Sequence, residues 1–439
     1  MEGDRDDLDF SVLINLLKDT IGFFPDKRHG TNCHYSLQDI GLGAFSVFFT
    51  QSPSFLAFQT TMKEGQGNNN CHTLFNMNET PSDNHIRDVL DNVPAPTLYP
   101  VFDSILDHLD ESGILNDFRS FQNELLLVLD GTQYYSSKNI FCEHCLQREH
   151  REGSITYHHD AVMSAIVSPE KRKALALSPE FISRTDGSKK QDCEHNAAKR
   201  WLARMGDKLS PLGVTIMGDD LYAHQPFLER VLFHDLNFIC VCKPDSHKNM
   251  YEWLRVVDHE GAIHTKVNSI WTGKTHHHYS FRYTNDVPLR DTKDCLMVNW
   301  AEVIVTDDAG KQVYKNTFIT NHMLLENNIE DFIRAGRSRW KIENENNNTL
   351  KTQGYHLEHN FGHGKQHLSE TLACMNILAF LFHTILDFVD ARYRLIRQTL
   401  PRRDRFFSDI SALTTYFCFD GWVHLMKTML QGLKLEDPG

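Results

Sequence analysis

The sequence predicts an α/β protein with a mixed sheet and helices packed against it, and three observations carry that prediction. Two apolar runs, 125–129 and 214–217, lie between turn-prone residues, as strands buried on both faces do. Helix-spaced segments at 196–204 and 224–233 alternate with further strand-like stretches at 161–167 and 237–242. From 246 to 325 the texture turns to alternating and β-branched residues cut by Gly, Asp and Asn turns.

The 439-residue chain has room for roughly two to four domains. Its 41% hydrophobic and 23% charged residues and mean hydropathy of -0.42 are those of an ordinary globular protein. The acidic opening Met1-Glu2-Gly3-Asp4 is unlike a secretory signal, and ten Cys then fit a reducing cytoplasm. The one long apolar stretch, 368–389, contains Ser369, Glu370, Asn376, His383 and Asp387, which predicts a core helix and no membrane span. A net charge of -13 opposes nucleic-acid binding in bulk. Binding to phosphates depends on where cations are focused, so the charge predicts steep salt dependence without excluding DNA.

In chain order, residues 1–100 read as a helical region. Helical spacing covers 9–20 and 37–49, Ser82 is a plausible cap for 82–91, and Pro94, Pro96 and Pro100 mark a break. Residues 101–245 hold the two apolar strands, each ending in a carboxylate: Asp130 before Gly131-Thr132, and Asp219 before Asp220-Leu221-Tyr222. A carboxylate at the end of such a strand stands where ligands gather in open α/β sheets. Between them, Cys142-Glu143-His144-Cys145 has half of a zinc-site spacing, with His144, His150, His158, His159 and Cys193 as candidate partners. In the β-rich insertion, 246–325, Trp271, Lys274, His276, His277, His278 and Trp300 are candidate DNA contacts. Residues 326–390 contain a Gly- and His-rich loop at 354–365 that suits phosphate, metal or a solvated turn. Residues 391–439 carry Arg392, Arg394, Arg397, Arg402, Arg403 and Arg405, the clearest basic patch in the chain.

The segment 337–351 ties these together. It lacks Gly and Pro, and Arg339 and Glu343 lie four apart, on one face of a helix. Two strand-end Asp residues and a helical Glu beside an Arg are an oxygen-ligand set suited to Mg²⁺. Asp130-Gly131-Thr132, Asp219 ahead of Tyr222, and Arg339-Trp340-Lys341-Ile342-Glu343 resemble the catalytic acids of DDE insertion-sequence transposases with an RNase H-like fold. The last resembles the Tyr-Arg-Glu-Lys signature of one group, and the phrases Gly218 to Ala223 and Lys190-Gln191-Asp192-Cys193-Glu194 resemble a subgroup. The chain departs from the signature at two places. Gly336 stands at the Tyr position, and Lys351 lies eight residues after Glu343 in place of seven, roughly 80° away from Glu343 around an ideal helix. Glu345 and Asp220 remain alternatives to Glu343 and Asp219.

The resemblance implies cut-and-paste transposition. Two Mg²⁺ ions, or Mn²⁺ as a substitute, would be held by Asp130, Asp219 and Glu343, with Asp130 shared. DNA contacts would come from Arg339, Lys351, Arg397, Arg402 and Arg403, with Cys142 and Cys145 in a candidate structural zinc site. The partners would be double-stranded DNA, as terminal inverted repeats and target, and a second copy of the chain in a homodimer. The expected location is the cytoplasm, at the nucleoid. Competing readings are an RNase H-like nuclease, a catalytically silent transposase-derived DNA-binding protein, and a zinc hydrolase built around Cys142.

Overall fold

The structure is a computed structural model that describes residues 8–29, 33–63, 65–183 and 193–439. Its strands are β1 (Leu125–Ser137), β2 (Leu146–Glu149), β3 (Ile155–Val167), β4 (Leu175–Ala176), β5 (Glu180–Ile182), β6 (Val214–Gly218), β7 (Asn237–Val241), β8 (His264–Trp271), β9 (His276–Pro288), β10 (Met297–Asp307) and β11 (Gln312–Thr320). They form one mixed sheet of 11 strands in the order β2-β3-β1-β6-β7-β11-β10-β9-β8, with β4 and β5 paired to β3. β1 runs antiparallel to β3 and parallel to β6, which is parallel to β7.

Register positions the two acids. Val128 pairs with Met217, and Asp130 and Asp219 each lie two residues beyond that rung. The apolar start of β1 and all of β6 are buried, because helices cover both faces of these inner parallel strands. Glu194–Leu209 and Gln225–Phe233 are helices, as their spacing predicts.

The 246–325 insertion is β-rich, yet it is not a separate sheet. β11 pairs antiparallel with the free edge of β7 and carries β10, β9 and β8 outward from it. It also opens with a helix, Lys248–His259, that the strand-like reading missed. Met250, Leu254 and Val257 recur at helical intervals and are its buried residues.

The helices at Phe10–Ile21, Leu37–Phe49 and Asp83–Leu90 are capped by Asp9, Ser36 and Ser82, each accepting a backbone N–H of the first turn. The prolines at 94–100 start a helix where a break was expected: Pro100 sits in the first turn of Tyr99–Glu111, where no N–H is missed. The helix Leu368–Val389 is long and apolar enough to cross a membrane, but 83% of its apolar window is buried inside the protein. Phe382 packs on Phe45 at 4.9 Å, and the His383 ring stacks on Phe49 at 4.1 Å. His383 is satisfied there, its Nε2 2.8 Å from the Phe49 carbonyl and its Nδ1 2.9 Å from the Tyr393 hydroxyl. Phe10 stacks on Trp422 at 4.5 Å, so the N- and C-terminal helices share one apolar core around this helix.

Candidate carboxylate and metal sites

Asp130, on β1, lies at the centre of a cluster of acids. Arg339 stands between two of them, its Nη2 2.8 Å from Glu343 and its Nη1 3.9 Å from Asp130. Asn347 donates to the other Asp130 oxygen at 2.9 Å. Burial first, then the Glu343 carboxylate, push Asp130 up to about 7; Arg339 pulls the other way, and Glu194 and Asp219 add to the rise. A buried carboxyl raised in this way, with further carboxylates beside it, is the kind of group found at functional sites.

The alternatives separate cleanly. Glu343 turns to Arg339 and Asp130, whereas Glu345 lines a different cavity on the far side of the same helix. The Asp220 carboxylate accepts from the Lys243 N–H at 2.6 Å and from the Ser246 hydroxyl. Asp219 accepts the Leu221 N–H at 2.8 Å, a local turn bond, and adds its charge to the acids around Asp130.

The glutamate helix is irregular. Residues Ile342–Asn347 form a π-helix that runs into the α-helix Asn348–Thr352. A π turn takes one extra residue into the helix. The eight steps from Glu343 to Lys351 then cover the angle of seven, which brings the two within ~20° of one face in place of the 80° of an ideal helix. Lys351 Nζ is 3.1 Å from Glu358 and is thus an ion-paired side chain. At Gly336 a Cβ would lie 3.0 Å from the Phe318 ring, so a Tyr there would need that ring to shift. Lys341 is buried and donates to the carbonyls of Ser168 at 2.6 Å and Pro169 at 2.9 Å, fastening the glutamate helix just past β3.

Glu194 was not among the residues that sequence singled out as ligands. It accepts the Gly131 N–H at 3.0 Å and the Tyr222 hydroxyl at 2.8 Å, and burial raises its carboxyl. Any side chain at Gly131 would run into it. Its only sequence signal is its place in the Lys190–Glu194 phrase, of which 190–192 lie outside the described residues.

A second site stands apart from the acids. Cys142, Cys145, His159 and His363 bring one ligand atom each to within 4.8 Å of one another, so they can hold a metal ion; among the described residues no acidic trio meets that spacing. Cys142 Sγ lies 3.8 Å from Cys145 Sγ, both sulfurs are 3.4 Å from His159 Nε2, and Cys145 Sγ is 3.3 Å from His363 Nε2. The other candidates are used elsewhere: His158 faces Asp160 at 2.9 Å, His150 meets Thr156 at 2.8 Å, His144 lies against His367, and Cys193 is exposed. The fourth ligand comes from the 354–365 loop, which sequence left open among three roles.

The DNA-contact candidates divide. Trp300 is 3% exposed and belongs to the core, while Trp271 is 57% exposed at the end of β8. Arg402 is paired to Asp404 at 2.6 Å and Arg392 to Asp437 at 2.6 Å. Arg397 and Arg403 line the cavity that Glu345 also faces. Comparison of the chain with family models gives no match, and comparison with curated proteins gives none either.

Proposed function

We propose that this chain is a DDE-type transposase that cuts DNA at the ends of a mobile element and joins the freed 3′-hydroxyls to target DNA. The observation that carries the reading is the cluster at Asp130, where Arg339 reaches both Glu343 and Asp130, and where burial first, then Glu343, Glu194 and Asp219, raise the Asp130 carboxyl against the pull of Arg339. The mixed sheet is compatible with it, since β3 lies antiparallel to β1, and β6 and β7 follow in parallel. Asp130 lies within β1, which continues to Ser137 and does not end at the carboxylate as the apolar run predicts, while Asp219 lies just past the end of neighbouring β6.

Asp130, Asp219 and Glu343 are the residues that would hold Mg²⁺, a cation of hard-oxygen preference. When bound, such ions supply charge stabilisation for the attacking and leaving oxygens of the phosphodiester. The chain's own part is positional. Arg339 aims Glu343 and offers its remaining N–H groups to a phosphate oxygen, Asn347 orients Asp130, and Lys341 anchors the helix that carries Glu343. The Cys142, Cys145, His159 and His363 cluster is a structural zinc site in this reading. Zinc about 2.3 Å from sulfur and 2.0–2.1 Å from nitrogen gives tetrahedral edges of ~3.8 Å between sulfurs and ~3.5 Å from sulfur to nitrogen, close to the separations observed.

The paired Lys351 and the crowded space at Gly336 favour a second reading, a DNA-binding relative without catalysis. Linear DNA carrying the gene's own flanks, incubated with Mg²⁺ or Mn²⁺ at low salt, separates the two. Wild type should nick at a defined position and join that end to a second DNA, while Glu343→Gln only binds. Binding without cutting by both proteins selects the silent reading. Cutting that survives Glu343→Gln but is lost on zinc chelation selects a zinc hydrolase.

A further inference from the structure

Behind the glutamate helix, on the side away from Asp130, lies a cavity of about 540 Å³ whose charged lining is mostly cationic. Arg172, Lys173, Arg394, Arg397 and Arg403 line it, against Glu345 and Asp387. Of the five cations only Lys173 has a carboxylate partner, Asp387; among the described residues no carboxylate lies within 4.0 Å of the four arginines. In a chain of net charge -13, such a concentration of unpaired guanidinium groups is uphill unless something negative shares it.

The arginines are held in place by neutral groups. Arg397 donates to the carbonyls of Leu400 at 2.7 Å and Pro401 at 3.1 Å and stacks on Phe406; Arg394 donates to the Phe388 carbonyl at 3.2 Å. Arg403 stacks on Tyr355 and meets its hydroxyl at 3.3 Å. Each guanidinium carries five donors in a fixed fork, so all three retain N–H groups after these bonds. We infer that this cavity is a phosphate-binding pocket, with Arg394, Arg397 and Arg403 as its clamp, and that the phosphate belongs to a DNA strand. Mutual repulsion is felt in the pocket: burial first, then Arg403, Arg397 and Arg394, bring Lys173 down to about 8. A phosphate would relieve that repulsion with charge-assisted hydrogen bonds. The wall opposite the arginines includes Glu345 and Thr349, from the same helix region as Glu343. A strand gripped here is therefore registered against the helix that presents the catalytic carboxylate.

That the phosphate is on DNA rests on the transposase reading; that the pocket binds phosphate does not. The full chain is titrated with inorganic phosphate at fixed ionic strength, chloride making up the balance, and followed by thermal unfolding. A fluorescein-labelled DNA strand and its duplex are then titrated by anisotropy, with inorganic phosphate as competitor. Wild type should show a saturable rise in unfolding temperature, and Arg394→Gln and Arg397→Gln should each weaken it roughly tenfold. Arg172→Gln, at the exposed rim, gives a variant whose folding is not at stake and should weaken it less. Phosphate should also compete with DNA, and the variants should lose a similar factor for DNA. No saturable response, or variants that respond as wild type does, would overturn the pocket. Phosphate binding lost in the variants with DNA affinity untouched would overturn the DNA assignment. A failure to nick with phosphate binding intact counts against the transposase reading alone.

Discussion

Cys145 and His363 lie 218 positions apart in sequence, yet Sγ of one is 3.3 Å from Nε2 of the other. The contact joins the turn between β1 and β2 to the loop that leads into the long helix Leu368–Val389. A metal there would fasten the sheet to the helical body at one point. The four side chains are intermediate to fully buried, so leaving thiols and imidazoles in contact without a cation gives up most of what their proximity offers.

The protein should therefore purify with close to one zinc per chain, measured by elemental analysis. Chelation, Cys145→Ser or His363→Ala should each lower the unfolding temperature by several degrees, the scale expected when a structural metal is removed. Cobalt substitution should give the absorption of a tetrahedral thiolate site. Metal content unchanged in His363→Ala would sink the four-ligand assignment.

Asp130 makes stability depend on pH in a stated direction. Its carboxyl is raised from the ordinary 3.8 to about 7, so the folded state holds a proton that the unfolded state releases between those values. Stability must fall as pH rises through that window, with the penalty complete above about 7 and absent below about 4. Asp130→Asn should match wild type at low pH and exceed it by a few degrees above neutrality. Added Mg²⁺ should stabilise wild type more at about pH 8 than at about pH 5, because there it need not displace the proton. A wild-type-to-mutant difference that is flat with pH would rule this out.

Arg339 holds the Asp130 carboxyl down while burial and neighbouring acids hold it up. Removing its charge in Arg339→Gln should raise Asp130 further and move the acidic limb of the nicking pH profile to higher pH. The rate should fall on the order of 10²–10³-fold, the usual loss for one charge-stabilising donor. Arg339→Lys retains the charge but not the fork, so it should restore the pH profile better than the rate. A lower rate with an unmoved profile would mean that Arg339 acts on the DNA and not on Asp130.

The π turn at Ile342–Asn347 should tolerate the loss of one residue. Deleting exposed Asn344 should convert the turn to regular α-helix and leave Asn347 and Lys351 on their present faces. Unfolding temperature should stay within a few degrees of wild type. Inserting one Ala at the same place should rotate everything beyond it by about 100° and cost far more. A deletion as damaging as the insertion would show that the helix has no residue to spare.

What the sequence settled by itself was local. Continuous apolar runs gave the inner strands, Ser and Asp caps gave helix starts, and the polar residues in 368–389 marked a core helix, because these signals depend on neighbours a few positions away. The Cys142–Cys145 spacing was legible for the same reason, and Asp130, Asp219 and Glu343 stood out from the sequence as candidates. Tertiary structure decided which residues meet. It brought Glu194 to Gly131 and Tyr222, and His363 to Cys145, contacts that depend on how distant segments pack. It turned Glu345 and Asp220 away from Asp130, and it joined the β-rich segment to the edge of β7, where unpaired backbone groups required partners. It also absorbed the extra residue before Lys351 in a π turn. Spacing counted on an ideal helix could not foresee this, since the cost of the wider turn is offset only by packing on both of its sides.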